Sequence, residues 1–186
     1  MTILTENTPK IAIIYHSNYG HTRRVAHAIA QGVARVGSAY PIDISKLSDD
    51  DWAMMDGADV LVFGSAVYMG STTAEFKAFM DSTSKRWLSR AWQGKWAAGF
   101  ANSGGLSGDK LAVLQQFCLF AMQHGMNWIG LPLLPTGSNE TDLNRLSSFL
   151  GLMTQSLDAP PEVTPCQGDI DTAIWFGEHL AKTAQK

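Results

Sequence analysis

Six consecutive residues, Ser17-Asn18-Tyr19-Gly20-His21-Thr22, combine two aliphatic hydroxyls, an amide and a glycine between an apolar run and a periodic segment. A helix that starts there leaves backbone N–H groups unpaired and carries partial positive charge, which suits a phosphate. The same residue types also make an ordinary cap and turn, so alone the segment leaves both readings open. Two more segments follow apolar runs: Gly64-Ser65-Ala66-Val67-Tyr68-Met69-Gly70 and Asn102-Ser103-Gly104-Gly105-Leu106-Ser107-Gly108. Their glycines permit close backbone approach to a flat ligand, although each by itself reads as tight-turn chemistry. Three such segments together suggest a mononucleotide with a planar ring.

Other chemistries lack their residues. No GxGxxG follows the first apolar run, and no GxxxxGK[ST] is present, because Gly108 precedes Asp109. The two cysteines, Cys118 and Cys166, form no CxxC pair, so neither a disulfide scaffold nor a cysteine zinc site is expected. Cys118 lies between Phe117 and Leu119 and reads as a buried, inert thiol. Fourteen Lys+Arg against 17 Asp+Glu give a net charge of −3, unlike the basic face of a nucleic-acid binder.

The elements that must position these segments alternate. Lys10–Tyr15 reads as a buried strand, Ala39–Ile44 as a weaker one, and Asp59–Gly64, Lys95–Ala101 and Met126–Leu134 as further strands. His21–Val36 carries Val25, Ile29, Val33 and Val36 on one helical stripe, Thr73–Arg90 places Phe76, Phe79 and Met80 inward, and Asp109–Gln123 is a third helix. Asp169 reads as the N-cap of a last helix. The alternation predicts an α/β fold, a doubly wound parallel sheet with helices on both faces. Ligands then bind beyond the carboxyl ends of the strands, where all three polar segments fall.

With 186 residues, 45% of them hydrophobic, the chain is expected to fold as one domain, 1–186, needing no disulfide or metal staple. Residues 139–168 form an irregular insert in which Leu146, Leu150 and Met153 give Asn144–Ser156 helical spacing before three prolines. Residues 111–139 lack charged side chains, but their longest wholly apolar run is Phe117–Met122. A spanning helix needs about 20 apolar residues. Met1–Pro9 lacks the apolar core of a signal peptide, and a cytoplasmic protein is expected.

From Lys10 to about Pro132 the chain resembles the flavodoxin-like NAD(P)H:quinone oxidoreductases of the WrbA family. The resemblance rests first on Ser17–Thr22, where the family shows Ser-x-Tyr-Gly-His-Thr. It extends through Phe76–Asp81, Trp87, Gly94-Lys95 and His124-Gly125-Met126. The chain departs after the third strand, where the family's Gly-Thr-Pro-Thr-Arg-Phe-Gly has become Gly64–Gly70, with Tyr68 in the arginine's place.

The resemblance implies a five-stranded sheet of order 2-1-3-4-5 that binds FMN. Ser17, Asn18, Tyr19, Gly20, His21 and Thr22 would hold the phosphate. Val67, Tyr68, Met69 and Gly70 would line one side of the ring, and Asn102, Ser103, Gly104, Gly105, Leu106 and Ser107 the other. His124 matches a family histidine near the cofactor, across a subunit boundary or as a helix cap. Trp87 matches a tryptophan on the substrate side or is a core or interface residue. The expected activity is ping-pong electron transfer from NAD(P)H to a quinone; a flavodoxin-type carrier and a binding module with weakened cofactor affinity are the alternatives. A homodimer or homotetramer is expected, with Trp87, Trp92, Trp96, Phe149, Leu152 and Met153 as interface candidates.

Overall fold

A computed structural model describes residues 8–185. Most of the polar opening segment, through Asn7, lies outside the described residues. In chain order the elements are β1 (Lys10–Tyr15), α1 (His21–Val33), β2 (Ser38–Asp43), α2 (Asp49–Gly57), β3 (Val60–Ala66), α3 (Ala74–Ser82) and α4 (Ser84–Leu88). β4 (Trp96–Ser103), α5 (Lys110–His124), β5 (Asn127–Trp128), β6 (Leu152–Gln155) and α6 (Gln167–Ala184) complete them.

Every strand pairing is parallel, in the order β2-β1-β3-β4-β5, with β6 also on β4. This is the expected doubly wound sheet, flavodoxin-like in order. Successive strand side chains point to opposite faces. Ile11, Ile13 and Tyr15 enter the layer beneath α1 and α6, while Ala12 and Ile14 enter the one shared with α2, α3 and α5. Helices α1 and α6 cross closely because each supplies a glycine. A Cβ on Gly32 would lie 1.8 Å from the Ile174 oxygen, and one on Gly177 would lie 2.0 Å from the Ile29 oxygen.

Five sequence expectations need correction. The fifth strand, expected over Met126–Leu134, pairs only at Asn127–Trp128, beside the start of β4. The chain then leaves the sheet at Gly130–Pro132, where proline has no N–H for a ladder. The carboxyl half of β4 pairs instead with β6, Phe100 opposite Leu152 through Ser103 opposite Gln155. Asn144–Ser156 is therefore a set of turns and a strand rather than a helix. Asn144, at φ 43°, holds those turns by donating to the carbonyls of Leu133 and Ser148.

The helix expected over Thr73–Arg90 breaks at Thr83, whose hydroxyl donates to the Met80 carbonyl at 2.7 Å. Asp169 lies inside the first turn of α6, not at its cap; its carboxylate is engaged by Arg145 at 2.8 Å. Helix α2 had no counterpart in the pattern of apolar residues, since only Met55 is buried. Its start is nevertheless written as a capping box, Ser48 with Asp51. Finally, Trp92 and Leu152 are fully buried, so neither is surface for an interface, while Trp96 is half-buried against the core. Trp92 donates its indole N–H to Asp56 at 2.8 Å.

Candidate functional site

The first strand delivers the chain to Ser17, and α1 begins at His21 behind Gly20, whose φ of 92° is a left-handed conformation suited to glycine. No side chain caps this helix, and its first turn holds no acidic residue. The Ser17 hydroxyl folds the loop by accepting the Gly20 N–H at 3.1 Å. Thr22 is 2% exposed yet lines the cleft in front of the helix. An uncapped helix start with a hydroxyl beside it is what an anionic ligand requires.

That cleft, about 300 Å³, gathers Ser17, Asn18, Tyr19, His21 and Thr22 from the first loop, and Ala66, Val67 and Tyr68 from the second. Asn102, Ser103 and Gly104 come from the third. The carboxyl ends of β1, β3 and β4 thus meet, as the parallel register requires. The second loop is tied to the third through the Val67 N–H and the Asn102 carbonyl, 2.9 Å apart. Its tip is a tight hairpin in which Tyr68 and Ser71 exchange both backbone bonds across Met69 (φ 49°) and Gly70 (φ 74°). Both central residues have positive φ, the backbone of a type I′ turn. Met69 is wholly exposed there, and neither tip residue lines the cleft. The Tyr68 phenol lies against Asn18 and Tyr19, and burial raises its pKa above that of a free phenol.

A fourth wall comes from a segment to which the sequence assigned no role. Ser156, Leu157 and Asp158 follow β6 and line the same cleft. The segment is pinned to α1: a His21 ring nitrogen meets the Ala159 carbonyl at 2.8 Å, and Arg24 donates to the carbonyls of Pro161 and Pro165. Asn102 holds its near end, its side-chain oxygen accepting from Thr154 and Ser156 at 2.8 and 3.0 Å. The usable signal was a polar run just past a strand end, hidden because β6 was read as helix.

Other expected site residues lie elsewhere. Gly20 borders a shallow basin beside Arg23, Arg24 and His27. Gly105 is in neither cavity, while Leu106 and Ser107 face a neighbouring hollow of about 740 Å³ with Arg145 and Phe149. Trp87 and His124 share a separate groove of about 810 Å³ between α3, α4 and α5, with Leu119, Met122 and Gln123. His124 ends α5, whose 15 residues span about 22 Å at 1.5 Å each. His124 therefore sits at the far end of the sheet from its own chain's cleft. It is 3% exposed, packed on Trp92 and Phe120. Burial, with Arg90 adding to it, pushes its pKa down to about 4. The Thr83 hydroxyl already donates to Met80, so the 3.0 Å contact at Nε2 requires the imidazole to donate. Nδ1 then remains a buried acceptor with no partner among the described residues.

Residues 9–138 match the model of the NADPH-dependent FMN reductase family. The chain belongs to this family. A crystal structure titled as the flavodoxin, WrbA-like protein from Agrobacterium tumefaciens superposes with a TM-score of 0.76 at 38% identity, covering 95% of this chain and 98% of that one. Flavodoxin FldP of Pseudomonas aeruginosa is 37% identical over 182 residues, 95% of this chain and 97% of its own. A protein of Syntrophobacter fumaroxidans named NAD(P)H dehydrogenase (quinone) is 27% identical, covering 95% and 98%. Within this oxidoreductase family the relatives thus carry two kinds of name, NAD(P)H dehydrogenase (quinone) and flavodoxin. No helix among the described residues is long and apolar enough to cross a membrane.

Proposed function

We propose that the chain binds FMN in the three-loop cleft and works as an NAD(P)H:quinone oxidoreductase. The observation that carries the reading is the start of α1: uncapped, free of acidic side chains, and flanked by buried Thr22. Ser17, Asn18, Gly20, His21 and Thr22 would hold the phosphate. Val67 and Tyr68, with Asn102, Ser103 and Gly104, would border the ring. Bound there, FMN would supply the redox chemistry between NAD(P)H and a quinone, the two using the cleft in turn. The chain itself binds and orients, so no acid–base pair is required of it. FMN is favoured over FAD because no glycine fingerprint for a second phosphate and an adenosine follows the loop.

Trp87 on α4 and His124 at the end of α5 line a groove separate from the cleft, too far to serve the cofactor of their own chain. A second copy that brings its Trp87 groove over the cleft would complete the site, and closed twofold symmetry is the common arrangement for homo-oligomers. We therefore propose at least a homodimer. Light scattering at micromolar concentration tests it: a 20 kDa species that is FMN-loaded and fully active rules out a shared site.

The test of the activity is spectral. Protein mixed with FMN should quench its fluorescence, bleach on anaerobic addition of NADH or NADPH, and recover colour with a quinone. The 37% identity to a protein named flavodoxin favours a second reading, an electron carrier for redox proteins. It predicts tight FMN binding without bleaching by either nicotinamide.

A further inference from the structure

Lys110 belongs to no motif, yet its side chain is fully buried beneath an exposed loop. Its ammonium donates to three successive carbonyls, those of Gly105 at 2.6 Å, Leu106 at 3.1 Å and Ser107 at 3.4 Å. The carbonyl before them, Gly104, accepts from the Gln155 side chain at 2.9 Å. Four consecutive peptide oxygens are therefore each held by a side chain on the inner side of the loop. A trans peptide points its N–H opposite to its C=O, and the cis bond among the described residues is at Thr164–Pro165, elsewhere. The N–H groups of Gly105, Leu106, Ser107 and Gly108 consequently face away from the ammonium. None of them donates to a backbone acceptor among the described residues.

We propose that Lys110, with Gln155 beside it, is a positioning residue that makes the third loop an array of four outward N–H donors. Such an array fits a ligand edge rich in carbonyl oxygens or negative charge; on the FMN reading above, on which this part rests, it would meet the polar edge of a ring that extends past Gly104 on the cleft wall toward the neighbouring hollow of Leu106 and Ser107. The physical reason lies in the loop itself. A Gly-Gly segment has many conformations to lose, and charge-assisted bonds to one ammonium select the conformation with every oxygen inward. The clamp is anchored in turn. Gln155 accepts from Arg145 at 3.1 Å and gives its backbone N–H to Asp169 at 2.7 Å, and Arg145 and Asp169 form a buried ion pair.

The charged groups facing Lys110 are Asp169 on α6 and Arg145 in the insert. Burial lowers the lysine to about 8, Asp169 opposes that and Arg145 adds to it. Above that pH the ammonium loses a proton and its charge, and the carbonyls lose their hold.

The experiment uses the cofactor-free full chain. In a ¹⁵N amide titration from pH 6.5 to 9.5, the resonances of Gly105, Leu106, Ser107 and Gly108 should move together with a midpoint near 8. Folded Lys110→Met should show no such transition. FMN affinity of the wild-type chain should fall at least tenfold across the same range, while Lys110→Met binds at least tenfold more weakly at pH 7 and is insensitive to pH. Four amides that stay still in the wild-type titration overturn the clamp, whether or not the variant folds. If the clamp titrates but wild-type protein takes up no FMN, the FMN reading fails and the positioning role of Lys110 stands.

Discussion

Two hollows on this molecule are built in opposite ways. The cleft at the carboxyl ends of β1, β3 and β4 is made by loops, offers backbone N–H groups and small hydroxyls, and is closed by a segment from the distant insert. The groove between α3, α4 and α5 is made by helix side chains, with Leu119, Met122 and Trp87 exposed along it and one imidazole buried at its base. The first hollow is pre-formed by the parallel register of three strands. The second presents apolar surface that nothing among the described residues covers. On the proposed reading, the difference teaches that backbone geometry would select the cofactor, while side chains on the helix surface would serve what approaches from outside.

The strongest way to break this contrast is to strip hydroxyls from the cleft. Ser17→Ala with Thr22→Ala removes two groups that would bond a charged phosphate, each worth about 1.5–3 kcal/mol. FMN affinity should drop a hundredfold or more in fluorescence titration, with the far-UV spectrum unchanged. Equal affinity in the folded double variant removes the first loop from the site.

The groove is sharpened by acid. His124 is held near 4 in the folded chain, against an ordinary value of 6.5. Between pH 6.5 and 4 the unfolded chain takes up a proton that the folded chain refuses, so stability falls as pH falls and levels off below 4. Each tenfold loss of proton affinity is worth about 1.4 kcal/mol, and the whole loss should come to about 3 kcal/mol. Urea unfolding at pH 7 and pH 4 measures it, and His124→Asn should lack this part of the pH dependence. A wild-type chain as stable at pH 4 as at pH 7 would show that the imidazole is not desolvated.

Trp87→Ala should separate the two hollows by function. Roughly tenfold weaker quinone turnover, about 1.4 kcal/mol, is expected with unchanged FMN affinity. Loss of FMN affinity instead would join the groove to the cofactor cleft. The smallest effect belongs to Asp158, an exposed carboxylate on the cleft wall. Asp158→Asn should tighten FMN a few-fold at low salt, with the gain fading at about 0.5 M salt, because charges in contact with solvent are screened.

Much of this was legible beforehand. β1 runs Lys10–Tyr15 as its apolar pattern indicated, and the three polar segments do meet at strand ends. Both follow from local rules: a strand buried on both faces reads as a continuous apolar run, and a parallel sheet gathers its loops at one edge. Residues 144–156 misled because Leu146, Leu150 and Met153 are spaced for a helix, yet the vacancy beside the carboxyl half of β4 favoured a strand. The site's fourth wall, Ser156–Asp158, was missed for that same reason. Trp92 looked like surface only because its partner, Asp56, lies 36 residues away.

The sequence by itself pointed to a doubly wound parallel sheet and a phosphate-competent turn, since each rests on residues close in the chain or on a repeating pattern, while the strand order came from the family resemblance. Tertiary structure alone decided that two short strands share the fifth position, that Lys110 gathers three loop carbonyls, and that Trp87 and His124 face away from their own cleft. Those outcomes depend on which distant groups compete for one buried partner. A hydrogen-bonding group or a charge leaves water only where the folded chain supplies such a partner, and no local spacing encodes where that partner will be.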